Sequence, residues 1–412
     1  MNVENKSTTF ADNKNINEHY FMKKYDFDEI IVRKNSDCIK HDKLEKYFGR
    51  DDLLPLWVAD MDFRTPDFIV EALKKRCDHP VFGYTYLSDD YFNSIINWIK
   101  NLHGWDIRYE WISFIPGIVK GIAFAIERYT GIGDKILIQP PVYHPFRLVP
   151  ENLGRVVVNN PLRLVDGVYE MDFDNLESVI DEKCKILILS NPHNPAGIVW
   201  SKETLKQLAS ICAKHNIIVI SDEIHAEMVF PTSTHYPFPT VSVEAASCSI
   251  TFAAPSKTFN IAGIVSSYAI IPDDAIRSDF YSFLEAGEFN QGTIFSYAAT
   301  IAAYTKGDEW RCQMLKYVEE NIKFIDGFLK TYIPQIKLYM PQASFLVWLD
   351  CKELGLSHKE LIHLFKERAG LALNDGAMFG IEGAGYMRIN AGCPRSIIEE
   401  ALNRLKEAVN EK

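Results

Sequence analysis

From about Trp111 to Ile271, short β-branched runs alternate with amphipathic stretches, and this alternation limits the available folds more than any other feature. Lys135 to Gln139 reads as a strand, as do Lys185 to Leu189, Ile217 to Ser221, Ser249 to Ala253 and Ser266 to Ile271. Between two of them, Lys202 to His215 carries Leu205, Leu208, Ala209 and Cys212 at helical spacing, with Ser201 as N-cap. Apolar strands alternating with helices predict an α/β fold, a mostly parallel sheet covered on both faces. Ligands bind such sheets at the carboxyl ends of strands, so polar residues just beyond a strand are the first candidates for a site. Asn194 and Asp222 are each expected a few residues past a strand's end.

The flanking segments build something else. Thr65-Pro66-Asp67 predicts a helix start, with Thr65 as N-cap, proline at the first helical position and an acid in the first turn. Trp310 to Thr331 reads as a long helix, Ser344 to Leu349 as an apolar strand, Ser357 to Ala369 as a helix and Ser396 to Asn410 as a final amphipathic helix. The expected organisation is a polar, disordered tail over 1–22 and a large domain over 71–309. A smaller α+β domain joins 23–70 to 310–412.

Composition narrows the function. A chain of 412 residues, 47% of them hydrophobic, can bury a large core. A formal net charge of -11 argues against nucleic-acid binding, because phosphate contacts need clustered Lys and Arg. No apolar run approaches the roughly 20 residues that span a bilayer, and the N-terminus lacks the apolar stretch of a secretory signal. The eight cysteines are scattered without a C-x-x-C pair, so reduced thiols are expected rather than disulfides or a metal centre. These features together predict a cytoplasmic protein with no membrane or nucleic-acid partner.

Three segments carry chemistry. Lys257 lies in Ala254-Pro255-Ser256-Lys257-Thr258-Phe259-Asn260-Ile261-Ala262-Gly263. A lysine among small residues can occupy a tight pocket, where desolvation lowers the amine's pKa and a neutral amine can attack a carbonyl. By itself the segment could be a surface turn, the safer reading for any single lysine. Upstream stand Asn191-Pro192-His193-Asn194-Pro195-Ala196-Gly197 and Ser221-Asp222-Glu223-Ile224-His225. Taken alone, Asp222 could cap a helix and the Asn-Pro pairs could merely start turns. Pro116-Gly117-Ile118-Val119-Lys120-Gly121 opens a helix whose N-terminal N–H groups suit a phosphate, though an ordinary loop would look the same. Arg388, between apolar neighbours on an expected strand, needs an anion, either a structural acid or a ligand carboxylate.

Asparagine, aspartate and lysine in this order resemble the cofactor cradle of fold-type I pyridoxal-phosphate enzymes. The chain is similar to the aminotransferase class I/II superfamily, and within it to the MalY/PatB group of cystathionine β-lyases and cysteine desulfhydrases, from about Tyr25 onward. Leu56-Trp57-Val58-Ala59-Asp60-Met61-Asp62-Phe63, Phe82-Gly83-Tyr84-Thr85, Pro141-Val142-Tyr143 and Arg388 to Arg395 carry the narrower likeness. The resemblance implies a large domain with a seven-stranded-type sheet and pyridoxal 5'-phosphate as cofactor. Lys257 would hold it, Asp222 would face its ring nitrogen, Asn194 its phenolate oxygen and Tyr143 its ring. Gly117, Ile118, Val119 and Ser256 would form the phosphate cup, and His225 would lie near the phenolate oxygen. Arg388, with Asn194 and Tyr143, would receive the substrate. Tyr84 would reach the phosphate of a neighbouring subunit, which implies a homodimer. Ala254, Glu285 to Gln291 and Gln342 to Phe345 depart from the common pattern. The expected activity is C–S β-elimination on L-cystathionine or L-cysteine, with an aminotransferase or a regulatory protein–protein role as alternatives.

Overall fold

The computed structural model describes residues 24–410; the expected tail over 1–22 lies outside them. Seven strands form the main sheet: β1 (Ile112–Ile115), β2 (Lys135–Ile138), β3 (Val156–Asn159), β4 (Cys184–Ser190), β5 (Ile218–Asp222), β6 (Ser249–Ala253) and β7 (Ser267–Ile270). Their spatial order is β1-β7-β6-β5-β4-β2-β3. β7 runs antiparallel to both β1 and β6, while the remaining pairs are parallel. The sheet is therefore mixed but mostly parallel, as the alternation predicts. Its central strands are buried along their length, with Ile186, Ile188, Ile220 and Ile250 packing on one face and Leu187, Leu189 and Val219 on the other. Period-2 burial on both faces is what continuous β-branched runs are suited to.

Helix Lys202–Lys214 begins where expected, and the Ser201 hydroxyl accepts from Thr204 N–H at 3.0 Å. Helix Ile118–Tyr129 crosses close over the sheet. A Cβ on its Gly121 would stand 2.6 Å from Ile115, so only glycine allows that approach. All eight cysteines are free thiols, and Cys184, Cys212, Cys248, Cys351 and Cys393 are buried. Among the described residues no helix is long and apolar enough to cross a membrane.

A second sheet comprises β8 (Lys337–Leu338), β9 (Leu346–Asp350), β10 (Asn374–Asp375) and β11 (Tyr386–Asn390), all antiparallel in the order β8-β9-β11-β10. The long helix Asp308–Tyr332 and the final helix Arg395–Asn410 pack with it. Leu54–Pro55 pairs with Leu371–Ala372, so the early chain joins the C-terminal region through backbone hydrogen bonds.

Three local expectations need correction. Asp222 is the last residue of β5, in register with Ser190, rather than beyond the strand. The helix after Pro66 spans Asp67–Cys77, and Thr65 does not cap it: its hydroxyl donates to the Asn260 carbonyl at 3.1 Å. A tertiary acceptor has displaced the local one. Helix His358–His363 starts with the Ser357–Glu360 capping box but widens to a π-turn over Leu364–Arg368, closed by Ala369 N–H on Leu364 O at 2.9 Å.

Candidate functional site

The carboxyl ends of β4 and β5 and the loop after β6 converge on a cavity of about 330 Å³. Lys257, Asp222, Asn194, Tyr143, His225, Ser256, Gly117, Ile118 and Val119 all line it. Parallel strands deliver their loops to one edge of the sheet, so residues far apart in sequence meet there. Asn194 follows β4, its N–H held by Ser190 Oγ at 3.1 Å, and its carbonyl accepts from Tyr143 N–H at 3.2 Å. Gly117 has φ +112°, a conformation that favours glycine, and it turns the chain from β1 into helix Ile118–Tyr129. The helical ladder starts with Gly121 N–H on Gly117 O at 3.0 Å, so the N–H groups of Ile118, Val119 and Lys120 precede it.

The charges here are held away from their ordinary states. Lys257 Nζ donates to the Ala59 carbonyl at 2.5 Å, and burial pushes the amine down to about 8. Burial likewise pushes the Asp222 carboxyl up to about 7. Its Oδ1 accepts from Ile224 N–H at 3.1 Å, a single neutral donor that does little to favour the anion. Burial, with Lys257 and Arg388 nearby, pushes His225 down to about 3, so its imidazole is neutral, and its buried Nδ1 has no hydrogen-bond partner among the described residues.

Arg388 comes from β11 in the other sheet and is buried. Its Nη1 donates to Asn194 Oδ1 at 3.0 Å, and its Nη2 to Asn374 Oδ1 at 2.6 Å and Trp57 O at 3.2 Å. Among the described residues the structural acid that the sequence allowed for is not one of these partners, which are all neutral, and Nε has no hydrogen-bond partner. With its Oδ1 turned to Arg388, the Asn194 amide keeps its Nδ2 hydrogens for another acceptor.

The segment Leu56–Asp62 links the two sheets at this point. Asn390 Nδ2 donates to Val58 O at 2.7 Å and to Asp60 O at 2.6 Å. Asn260, three residues after the lysine, donates to Met61 O at 2.9 Å and Phe63 O at 2.8 Å, and accepts from Met61 N–H at 3.0 Å. The carbonyls of Ala59 and Trp57 are thereby fixed against Lys257 and Arg388. In sequence this stretch signals only a likeness; neither its role as a clamp nor the cavity positions of Lys120, Ser190, Ser266 and Ser267 is visible there. Tyr84 is not brought to the cavity: it lies on a segment without helix or strand, its side chain fully exposed.

The family model for aminotransferase class I and II matches residues 51–405. The chain belongs to that family. Within it, the chain is 41% identical to cystathionine beta-lyase PatB of Bacillus subtilis over 385 residues, covering 93% of this chain and 100% of that one. Protein MalY of Escherichia coli is 31% identical over 388 residues, covering 93% and 99%. The crystal structure of a pyridoxal-phosphate-bound C–S lyase from Staphylococcus hominis superposes with a TM-score of 0.88 at 32% identity, covering 95% of this chain and all of that one.

Proposed function

We propose that this chain is a pyridoxal-phosphate-dependent C–S β-lyase that converts L-cystathionine, or L-cysteine, and water into a thiol, pyruvate and ammonia. The observation that carries the reading is Arg388: a buried cation with only neutral partners among the described residues, bonded to an asparagine that lines the cavity of Lys257. A planar α-carboxylate is the anion that suits a guanidinium beside a reactive amine. The names of the relatives point to the same class.

The residues present fit the cofactor. Among the described residues the Asp222 carboxyl accepts from a neutral backbone N–H and forms no ion pair, His225 Nδ1 has no hydrogen-bond partner, and the helix N-terminus after Gly117 faces the same cavity. Pyridoxal phosphate supplies an electron sink for the pair left at Cα when its proton departs. Lys257 would anchor it and, once freed by the incoming amino group, take that proton on Nζ. Asp222 would hold a proton at the ring nitrogen, returning to its ionised form beside that cation. Asn194 Nδ2 would donate to the phenolate oxygen, with the neutral His225 close by, and Tyr143 would cover the ring. The N–H groups of Ile118 and Val119, freed by the turn at Gly117, and the Ser256 hydroxyl would bind the phosphate. Arg388 would fix the carboxylate, holding Cα where Lys257 reaches it. In the overall change the Cα–H and Cβ–S bonds break, the thiol leaves with its electron pair and gains a proton, and water releases ammonia. The enzyme would work in the cytoplasm as a homodimer, the exposed Tyr84 of one subunit reaching the phosphate of the other.

The test is to incubate the purified holoenzyme with L-cystathionine and no keto acid. Equal amounts of thiol and pyruvate are expected. Turnover that requires a keto-acid acceptor and yields no thiol would assign an aminotransferase instead.

A further inference from the structure

We infer that Asn374 is a positioning residue, one that orients the Arg388 guanidinium while leaving its charge free for the substrate carboxylate. This rests on the reading of Arg388 given above. Asn374 and Arg388 are direct cross-strand partners between β10 and β11, so their side chains share one face of the small sheet. The Asn374 Oδ1 accepts from Arg388 Nη2 at 2.6 Å, the shortest of the guanidinium's contacts. Its Nδ2 donates to the Met378 sulfur at 3.3 Å, so the amide presents oxygen to the arginine.

The next residue is an acid, Asp375, but alternation along the strand turns it to the opposite face. There its carboxylate meets His358 at 3.3 Å and accepts from Ala377 N–H at 3.0 Å. A carboxyl of the same shape as the Asn374 amide would form an ion pair with Arg388 and satisfy it before any substrate arrived. The amide supplies the same acceptor without the charge. Trp57 O and Asn194 Oδ1 complete a neutral cradle, and the Phe379 ring lies 4.9 Å from the guanidinium. Specificity for an α-amino acid over the corresponding amine therefore depends on the neutrality of position 374.

The test compares Asn374→Asp with Asn374→Ala in the holoenzyme, with cysteamine as an L-cysteine analogue lacking the carboxylate. Asn374→Asp should raise KM for L-cysteine by roughly 10- to 100-fold, with kcat changed less than about threefold. Cysteamine affinity, read by absorption titration of the bound cofactor, should stay within about twofold, since no charged contact to it is lost. Asn374→Ala, which removes a holder without adding charge, should raise KM less than Asn374→Asp does. A merely structural role would reverse that order, because the isosteric variant packs better than the truncated one, and the reversed order overturns the inference. So does an unchanged KM in Asn374→Asp when Arg388→Ala raises it. If Arg388→Ala itself leaves KM unchanged, the carboxylate reading of Arg388 fails, and the inference with it.

Discussion

Two polar regions adjoin the segment Leu56–Asp62, and their charges are treated in opposite ways. On one side Arg33, Lys40, Asp60 and Asp62 form a closed set: Arg33 meets Asp60 at 2.7 Å and Asp62 at 2.6 Å, and the fully buried Lys40 meets Asp62 at 2.6 Å. Lys40 and the hydrogen bonds around it hold Asp62, despite its burial, well below the usual carboxylate range, and the two aspartates raise Arg33. On the other side burial moves Lys257 down to about 8, Asp222 up to about 7 and Arg388 down to about 10, each toward its neutral form. The first region is complete within the chain. The second is electrostatically unfinished, as expected of groups whose partners belong to a ligand.

Changes on the two sides should separate chemistry from stability. Lys257→Ala should abolish turnover and the borohydride-reducible link between protein and cofactor, because the residue proposed as both anchor and proton acceptor is gone. A reducible link retained in that variant would place the anchor elsewhere. Asp222→Asn should retain the cofactor yet slow loss of the Cα proton, read as exchange of a deuterium label, by roughly 100-fold or more, the lower range of acid–base contributions. The same change has a linkage signature in the cofactor-free protein. The Asp222 carboxyl titrates higher folded than unfolded, so its contribution to stability is full below the ordinary carboxylate range and is lost as pH rises toward 7. The thermal midpoint of the cofactor-free wild type should fall over that window relative to Asp222→Asn. A constant difference between the two across the window would rule out the raised value.

Asp62→Asn should do the reverse. It removes the nearer carboxylate from the buried Lys40, leaving Asp60 at 3.8 Å, and should cost about 3–5 kcal/mol of stability, measured by denaturant titration, with kcat of the folded fraction little changed. A variant as stable as wild type would mean that the closed set relaxes around the loss. The smallest effect is expected at Tyr84, where Tyr84→Phe removes the proposed hydrogen bond to a charged phosphate, worth about 1.5–3 kcal/mol, and should weaken cofactor binding by roughly 10- to 150-fold. Mixed with Lys257→Ala chains, the intact lysine site should recover wild-type cofactor affinity from its neighbour's tyrosine. Subunit exchange without recovery would remove Tyr84 from the partner's site.

Much of this was legible in the chain itself. The continuous β-branched runs and the Ser201 cap specify their strands and helix through local preferences, which depend only on neighbours a few residues away. The motifs around Asn194, Asp222 and Lys257 stand at or just after strand ends in a mostly parallel sheet, and topology then brings them to one edge. The chemistry of the site thus follows from sequence order. Tertiary structure alone decided what those side chains touch. Thr65 is a sound N-cap by local rules, yet its hydroxyl bonds to a residue 195 positions away. Arg388 reads equally as one half of a salt bridge until β10 places a neutral amide opposite it and turns the neighbouring acid aside. Lys257 is held by a carbonyl 198 residues upstream. Backbone carbonyls carry no side-chain identity, and cross-strand register is set by the whole fold, so no pattern along the chain announces either. The sequence by itself determined that Asn194, Asp222 and Lys257 reach the cavity; only the tertiary structure added Lys120, Ser190, Ser266 and Ser267 to its lining and determined which groups remain unpaired there, because pairing is a matter of distances between segments that local propensity does not encode.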